Sequence, residues 1–131
     1  MTCRELFQSS LRMVCEQEEL SDVSDYEERA EYLIASFCNQ FTTLDALIKS
    51  LCNEGGSTYT PTTMLTLNNT FPLANRFVPA ATYYLSAMLV IDENEELSER
   101  FFALYSDAIS MLQKDVTGKS NSIKDTYGEL I

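Results

Sequence analysis

The side chains best suited to chemistry in this 131-residue chain are four cysteines and twenty acidic residues, and the chain has no histidine. Without histidine there is no Ser-His or Cys-His nucleophile, and the commonest general base at neutral pH is missing. No glycine-rich nucleotide-binding motif and no GxSxG motif occurs. We therefore expect a protein that is not an enzyme, with no catalytic residue and no cofactor.

The cysteines are too widely spaced to form a CxxC pair, which argues against a structural zinc site. They are Cys3, Cys15, Cys38 and Cys52. The first three fall on predicted apolar helix faces, and the fourth lies at a predicted helix end. We expect reduced, structural thiols and no metal site.

The acidic residues give the chain a net charge of −11. This charge argues against sequence-specific binding of nucleic acid and against docking on an anionic membrane, because both depend on Lys and Arg. It favours a basic protein partner. Many acids lie in the segment Glu16–Glu31, where Ser24 and Glu27 form a helix-capping pattern. The segment is interpreted as a solvated helix start, with an acidic docking surface as the alternative.

Apolar residues at steps of three and four predict an all-α fold, a small bundle of about four helices. The first, second and fourth predicted helices span residues 2–18, 25–52 and 92–116, and the third begins between Asn75 and Pro79 and ends at Ile91. The second has a kink or break at Thr42-Thr43 as an alternative. A capping box of Thr2 and Glu5 begins the first, and Asp92 is expected to cap the last. The third is apolar nearly all round, which predicts the central helix of the core. Its apolar block is too short to cross a bilayer, which needs roughly 20 residues.

Two segments fall outside the predicted helices. The Thr-rich loop 57–73 separates helices two and three, and Asn68-Asn69 could turn a short β-hairpin within it. Residues 117–131 are polar but end in Leu130-Ile131, so they either fray in isolation or dock on a partner. We expect one helical domain over residues 1–116 and a flexible C-terminal tail over 117–131. The chain does not begin with a basic and apolar leader, so a cytosolic protein is expected.

A family resemblance adds to these expectations. The span FPLANRFVPAATYYLSAMLVIDENEELSERFFALY, Phe71–Tyr105, resembles the C-terminal half of small head–tail adaptor (connector) proteins of tailed phages and prophages. The opening MTCRELFQSSLRMV and the acidic DYEERA entry to helix two are similar to the same family. The resemblance implies a helical protein that assembles as a ring beneath the portal, extends the DNA channel and contacts the next neck protein.

The expected function is thus that of a non-enzymatic structural protein, present in the bacterial cytoplasm during assembly and then in the virion neck. Its expected partners are portal and neck or tail proteins and further copies of itself. The residues expected to form the interfaces are Tyr59, Leu65, Leu67, Phe71, Arg76, Phe77, Tyr127, Leu130 and Ile131. Two alternatives remain open: an acidic cytosolic inhibitor that mimics nucleic acid, and an assembly chaperone for a phage structural protein.

Overall fold

A computed structural model describes residues 1–15, 23–51 and 58–127, with side chains for residues 1–14, 25–51 and 58–116. These residues form an all-α fold, as predicted, and no β-strand occurs among them. The helices are α1 (Cys3–Cys15), α2 (Val23–Gln40), α3 (Thr42–Leu51), a short 3₁₀ turn (Asn75–Phe77), α4 (Val78–Val90) and α5 (Glu95–Tyr127). None of the helices in these ranges is long and apolar enough to cross a membrane.

The described ranges contain five α-helices rather than about four, because the long second helix breaks at Phe41. The N–H of Phe41 donates to the carbonyl of Cys38 at 3.2 Å, a bond three residues back that tightens the last turn of α2. The hydroxyl of Thr42 donates to the carbonyl of Asn39 at 3.3 Å and so competes with the helical backbone bonds. The alternative of a break in this helix is therefore correct, but the break lies at Phe41, and the threonine pair begins α3. Cys52, the predicted end of this helix, lies outside the described residues.

The capping box at the start of α1 is confirmed. The N–H of Glu5 donates to the hydroxyl oxygen of Thr2 at 3.2 Å, and the N–H of Thr2 donates to the Glu5 carboxylate at 3.3 Å. The apolar face of α1 then packs into the core, where Cys3, Leu6 and Phe7 are buried. The predicted end of this helix at Glu18 lies outside the described residues.

The central position predicted for the third helix is confirmed in α4, which contacts α1, α2 and α5. Its fully buried side chains include Leu85 and Leu89. Its small polar residues make hydrogen bonds inside the core: the hydroxyl of Ser86 donates to the carbonyl of Ser10 at 3.3 Å, and that of Ser10 donates to the carbonyl of Thr82 at 3.3 Å. These bonds let α1 and α4 pack closely without leaving a buried polar group unpaired.

The segment 58–73, called the strap below, forms no hairpin. The N–H of Asn69 closes a turn on the carbonyl of Thr66 at 2.9 Å, but the backbone on either side pairs with the N-terminal residues. The N–H groups of Cys3 and Arg4 donate to strap carbonyls at 2.9 and 2.8 Å, and the N–H of Phe71 donates to the carbonyl of Met1 at 2.9 Å. The strap thus lies across the start of α1, and these bonds replace the pairing that a hairpin would need.

Helix α5 pairs with α4 through the short acidic connection, as predicted. Its cap is Asn94 rather than Asp92: the Asn94 side-chain oxygen accepts from the N–H of Leu97 at 3.0 Å. The helix extends to Tyr127, beyond the predicted end at Val116. A cluster of rings contributed by α2, the 3₁₀ turn, α4 and α5 fills the centre of the bundle, with Phe37 in contact with Phe41, Phe77, Tyr84 and Tyr105.

Candidate functional site

The structure places most of the expected interface residues in the core. Tyr59, Leu65, Leu67 and Phe71 of the strap are 3–8% exposed, and Phe77 is fully buried. Their side chains belong to the same buried hydrophobic cluster as residues of α1, α2 and α4. Folding therefore accounts for their apolar character, and they offer no surface to a partner in this conformation. Arg76 is exposed. Tyr127 is the last residue of α5, and Leu130 and Ile131 lie outside the described residues.

Accessible apolar residues of α5 form one side of a groove, called the α5 groove, while other exposed apolar side chains, such as Leu47 and Met64, lie elsewhere on the chain. The groove has a volume of about 250 Å³ and is lined by Arg76, Pro79, Ala108, Met111, Leu112 and Asp115. Its two walls are the start of α4 with the 3₁₀ turn, and the middle of α5. The guanidinium of Arg76 lies 3.7 Å from the carboxylate of Asp115 and links the walls at the rim.

The α5 groove follows from the local sequence. Ala108 is too small to fill the space between α5 and the start of α4, so a depression remains there. Met111 and Leu104 lie one helical ridge away from the core-facing stripe and are 66% and 44% exposed. From the helical spacing of the apolar residues on this helix, Leu104 is expected to be packed in the core, and Met111 is not part of the expected stripe. The sequence does contain a signal for this exposed surface. With Met111 beside Leu112, the apolar face of α5 is wider than a contact with the core requires.

Acidic residues from two separate parts of the sequence meet at one end of the bundle, called the acidic end. The hydroxyl of Tyr26 in α2 donates to the carboxylate of Glu93 in the α4–α5 connection. Arg29 donates to the carbonyl of Met88 at 3.0 Å and lies 5.9 Å from the centre of the Tyr26 ring. The exposed acids that flank this contact in the sequence are Asp25 and Glu28 of α2, Asp92 and Glu93 of the connection, and Glu95, Glu96 and Glu99 of α5.

The chemistry of the acidic end depends on whether a pKa is shifted there and on whether a group of its side chains could hold a metal ion. Burial, followed by the hydrogen bond to Glu93, raises the pKa of Tyr26 to about 12, so its phenol stays protonated and keeps the two segments together. Within the described ranges, no group of three or more acidic or cysteine side chains is arranged to hold a metal ion. The sequence could not show that the two acidic segments converge, because they are far apart in the chain.

The thiols whose surroundings the structure describes are unreactive core groups. Cys3 and Cys38 are both fully buried and carry no disulfide. Burial, reinforced by the nearby Glu31 carboxylate, raises the pKa of Cys3 to about 11, and burial raises the pKa of Cys38 further. The nucleophilic thiolate is therefore strongly disfavoured at neutral pH. The side chain of Cys15 and the whole of Cys52 lie outside the described part of the chain.

One buried ion pair was missed by sequence reasoning. Asp45 of α3 is fully buried, and the ammonium of Lys49 lies 3.0 Å from its Oδ2 atom. The Oδ1 atom accepts from the N–H of Ala74 at 2.7 Å, and Lys49 donates to the carbonyl of Pro72 at 2.8 Å. The pair therefore ties α3 to the end of the strap and to the residue that follows it. Its signal in the sequence was an acid and a base four residues apart beside the apolar Leu44 and Ile48.

Comparison with known proteins does not identify the chain: no family model, no curated protein and no solved structure matches it.

Proposed function

We propose that this protein is a non-enzymatic structural component of a tailed-phage neck, where copies of the chain form a ring between the portal and the tail components. The proposal rests on the resemblance of residues 71–105 to head–tail adaptor proteins. The structural observation that supports it is the α5 groove, because Arg76 and Pro79 of its lining lie within this span and the other four lining residues follow it on α5. A ring subunit needs a surface that receives a different surface of its neighbour, and a groove suits such a contact.

The charge of the chain determines how assembly is expected to begin. At −11, copies repel one another until salt or a partner reduces the repulsion. The groove alone, at about 250 Å³, accommodates one or two side chains. A stable interface buries more than about 1,000 Å² in total, so further surfaces must contribute. We therefore expect a monomer or small oligomer in solution and a ring on the portal-like partner, formed in the host cytoplasm and retained in the virion neck.

The contribution of the groove is tested by Met111→Glu, which places a charge on its most exposed apolar residue. The matched control is Ser106→Glu, which adds the same charge at an exposed position elsewhere on α5. Both variants should keep the wild-type melting temperature, because neither side chain is buried. Particles from a host that supplies only the variant would be purified on a density gradient and examined by mass spectrometry. We expect Met111→Glu, but not Ser106→Glu, to be depleted at least tenfold.

The C-terminal residues 119–131 are the second proposed contact. Residues 119–127 continue α5 beyond Val116, the last of the described core residues. Deletion of 119–131 should therefore leave the melting temperature nearly unchanged and abolish incorporation into particles. Normal incorporation of the truncated chain would refute the docking role of this segment. Absence of the full-length protein from finished particles would refute the adaptor function and favour the assembly chaperone.

The acidic end favours a second candidate function, an inhibitor that mimics nucleic acid. The Tyr26–Glu93 contact brings α2 to the α4–α5 connection. The exposed carboxylates on either side of it, including those at the start of α5, could occupy the basic cleft of a DNA-binding enzyme. Replacing Glu95, Glu96 and Glu99 by Gln would test this function in a competition assay against DNA. A chain that displaces DNA from a basic host enzyme, and loses this ability in the triple variant, would support the inhibitor over the adaptor.

A further inference from the structure

A polar groove, distinct from the α5 groove, lies between α2 and the strap. The groove is open to solvent and has a volume of about 640 Å³. This volume is within the range of about 300–1,000 Å³ found for ligand sites. It is lined by Tyr32, Ser36, Asn39, Gln40, Pro61, Thr62 and Thr63. The four α2 residues share one face of the helix, and the three strap residues form the facing wall.

The two walls are held at a fixed separation by Asn39. Its Oδ1 atom accepts from the hydroxyl of Tyr59 at 2.6 Å and from the N–H of Thr62 at 3.3 Å. Its Nδ2 group donates to the carbonyl of Thr62 at 2.8 Å. The strap cannot move away from α2 without losing these bonds, so a ligand would enter a groove that is already formed. Such preorganisation lowers the entropic cost of binding.

The chemistry of the lining is neutral in a strongly acidic protein. All seven residues are uncharged, so a charged ligand would find no opposite charge in the groove. The ring of Tyr32 is half exposed, and the hydroxyls of Ser36 and Thr63 are accessible. The amide oxygen of Gln40 accepts from the hydroxyl of Tyr105 at 3.4 Å, which directs its amino group to act as a donor. An apolar ring face beside hydroxyl and amide groups matches a sugar, which presents an apolar C–H face and a rim of hydroxyls.

The backbone of the strap argues against an extended peptide as the ligand. Adding a strand requires a row of accessible main-chain donors. Pro61 has no N–H, the N–H of Thr62 is bound to Asn39, and the N–H of Leu65 is bound to the carbonyl of Glu31 at 3.1 Å. The row of backbone donors that an added strand would need is therefore interrupted, whereas the hydroxyl and amide side chains of the lining can bond to the hydroxyls of a sugar.

We propose that this groove binds a neutral saccharide chain. Tyr32 stacks against one sugar ring, and Ser36, Gln40 and Thr63 hydrogen-bond to its hydroxyls. The open shape suits a chain that lies along the surface rather than an enclosed monosaccharide. This binding site is independent of the neck function proposed above.

The proposal is tested by titrating the ¹⁵N-labelled full chain with three neutral oligosaccharides, maltohexaose, cellohexaose and chitohexaose, at millimolar concentrations. At least one should shift the amide resonances of residues 32–40, 60 and 62–64 and leave those of α5 near Met111 unchanged. Tyr32→Ala should weaken binding about tenfold, the effect of one aromatic stacking contact. Met111→Ala, which shortens an exposed apolar residue outside the groove, should not weaken it. Both altered positions are exposed, and circular dichroism would verify that the variants fold.

Three outcomes would overturn the proposal. The first is the absence of a shift with all three sugars, and the second is an equal loss of affinity in Tyr32→Ala and Met111→Ala. The third is a response of the groove resonances to an uncharged Pro- and Ser-rich peptide but to none of the sugars, which would make the site a peptide site. The particle experiment on Met111→Glu and Ser106→Glu leaves these seven residues unchanged, so either proposal can fail without the other.

Discussion

The buried pair of Asp45 and Lys49 gives a prediction whose magnitude can be worked out from the structure. Lys49→Met removes the ammonium 3.0 Å from the carboxylate and the 2.8 Å bond to the carbonyl of Pro72. The Asp45 carboxylate would then remain fully buried with the N–H of Ala74 as its main partner. Removing one member of a buried ion pair costs about 3–5 kcal/mol. Because 12% of the Lys49 side chain is exposed, water can partly replace it, and we expect the lower end, about 3 kcal/mol.

Two further variants separate the charge from the hydrogen bonds. Asp45→Asn keeps an oxygen that can accept from the N–H of Ala74, so it should cost only about 1–2 kcal/mol. In the double variant Asp45→Asn/Lys49→Met no charge is left buried. Its loss of stability should therefore be smaller than the sum of the two single losses, by at least about 1 kcal/mol.

The assay is urea unfolding followed by far-ultraviolet circular dichroism, with the free energy taken from the linear extrapolation. Glu96 and Arg100 provide a matched control, since they form a pair with the same spacing, 3.3 Å apart, but 80% and 69% exposed. Arg100→Met should cost less than about 0.5 kcal/mol, as expected for a surface pair. If Lys49→Met cost no more than this control, or if the double-variant losses were additive, the assignment of Asp45 as a buried, paired charge would be refuted.

Three further predictions concern the core. Leu85→Asp buries an unpaired charge at a position 1% exposed, at a cost of several kcal/mol, so it should unfold the chain; a near-native melting temperature would contradict the central role of α4. Cys3 and Cys38 should react with a thiol reagent in the native state only as slowly as the protein unfolds, and fast labelling of either would contradict their burial. The raised pKa values, from 9.0 to about 11 at Cys3 and from 10.0 to about 12 at Tyr26, mean that folding favours the protonated forms. Their stabilising effect should be complete below pH 9 and be lost progressively between about pH 9 and 12, so an unfolding free energy independent of pH in this range would refute it.

The helices were predictable from the sequence because each carries its own local signal. The capping box of Thr2 and Glu5 and the helical spacing of the apolar residues depend on neighbours in the chain. The same is true of the all-round apolar character of α4. The break at Phe41 was harder to predict, since the apolar stripe continues through it and only the threonine pair indicates it. The cap was assigned to Asp92 rather than Asn94 because both residue types suit an N-cap, and the final choice depends on the geometry of the turn.

The strap and the surfaces were not predictable because they depend on contacts between distant residues. Asn68-Asn69 does lie in a turn, but the backbone beside it finds its partners at Met1–Arg4, which no local pattern can indicate. The convergence of α2 and the α4–α5 connection at the acidic end has the same origin. The α5 groove depends on the small volume of Ala108 opposite Pro79, a property of two packed helices rather than of either one.

The position of the strap changes where binding should be sought in this protein. A long Thr-rich loop with scattered apolar residues suggests a segment waiting for a partner, because such residues are costly to leave in water. Here Leu65 and Leu67 avoid this cost within the chain by packing on the core, and the threonines between and beside them face solvent. The strap is therefore a wall of the fold, and its outer side is polar apart from Met64. A partner must therefore bind where apolar groups or preorganised polar groups are exposed. Among the described residues, such groups lie in the α5 groove and in the polar groove between α2 and the strap.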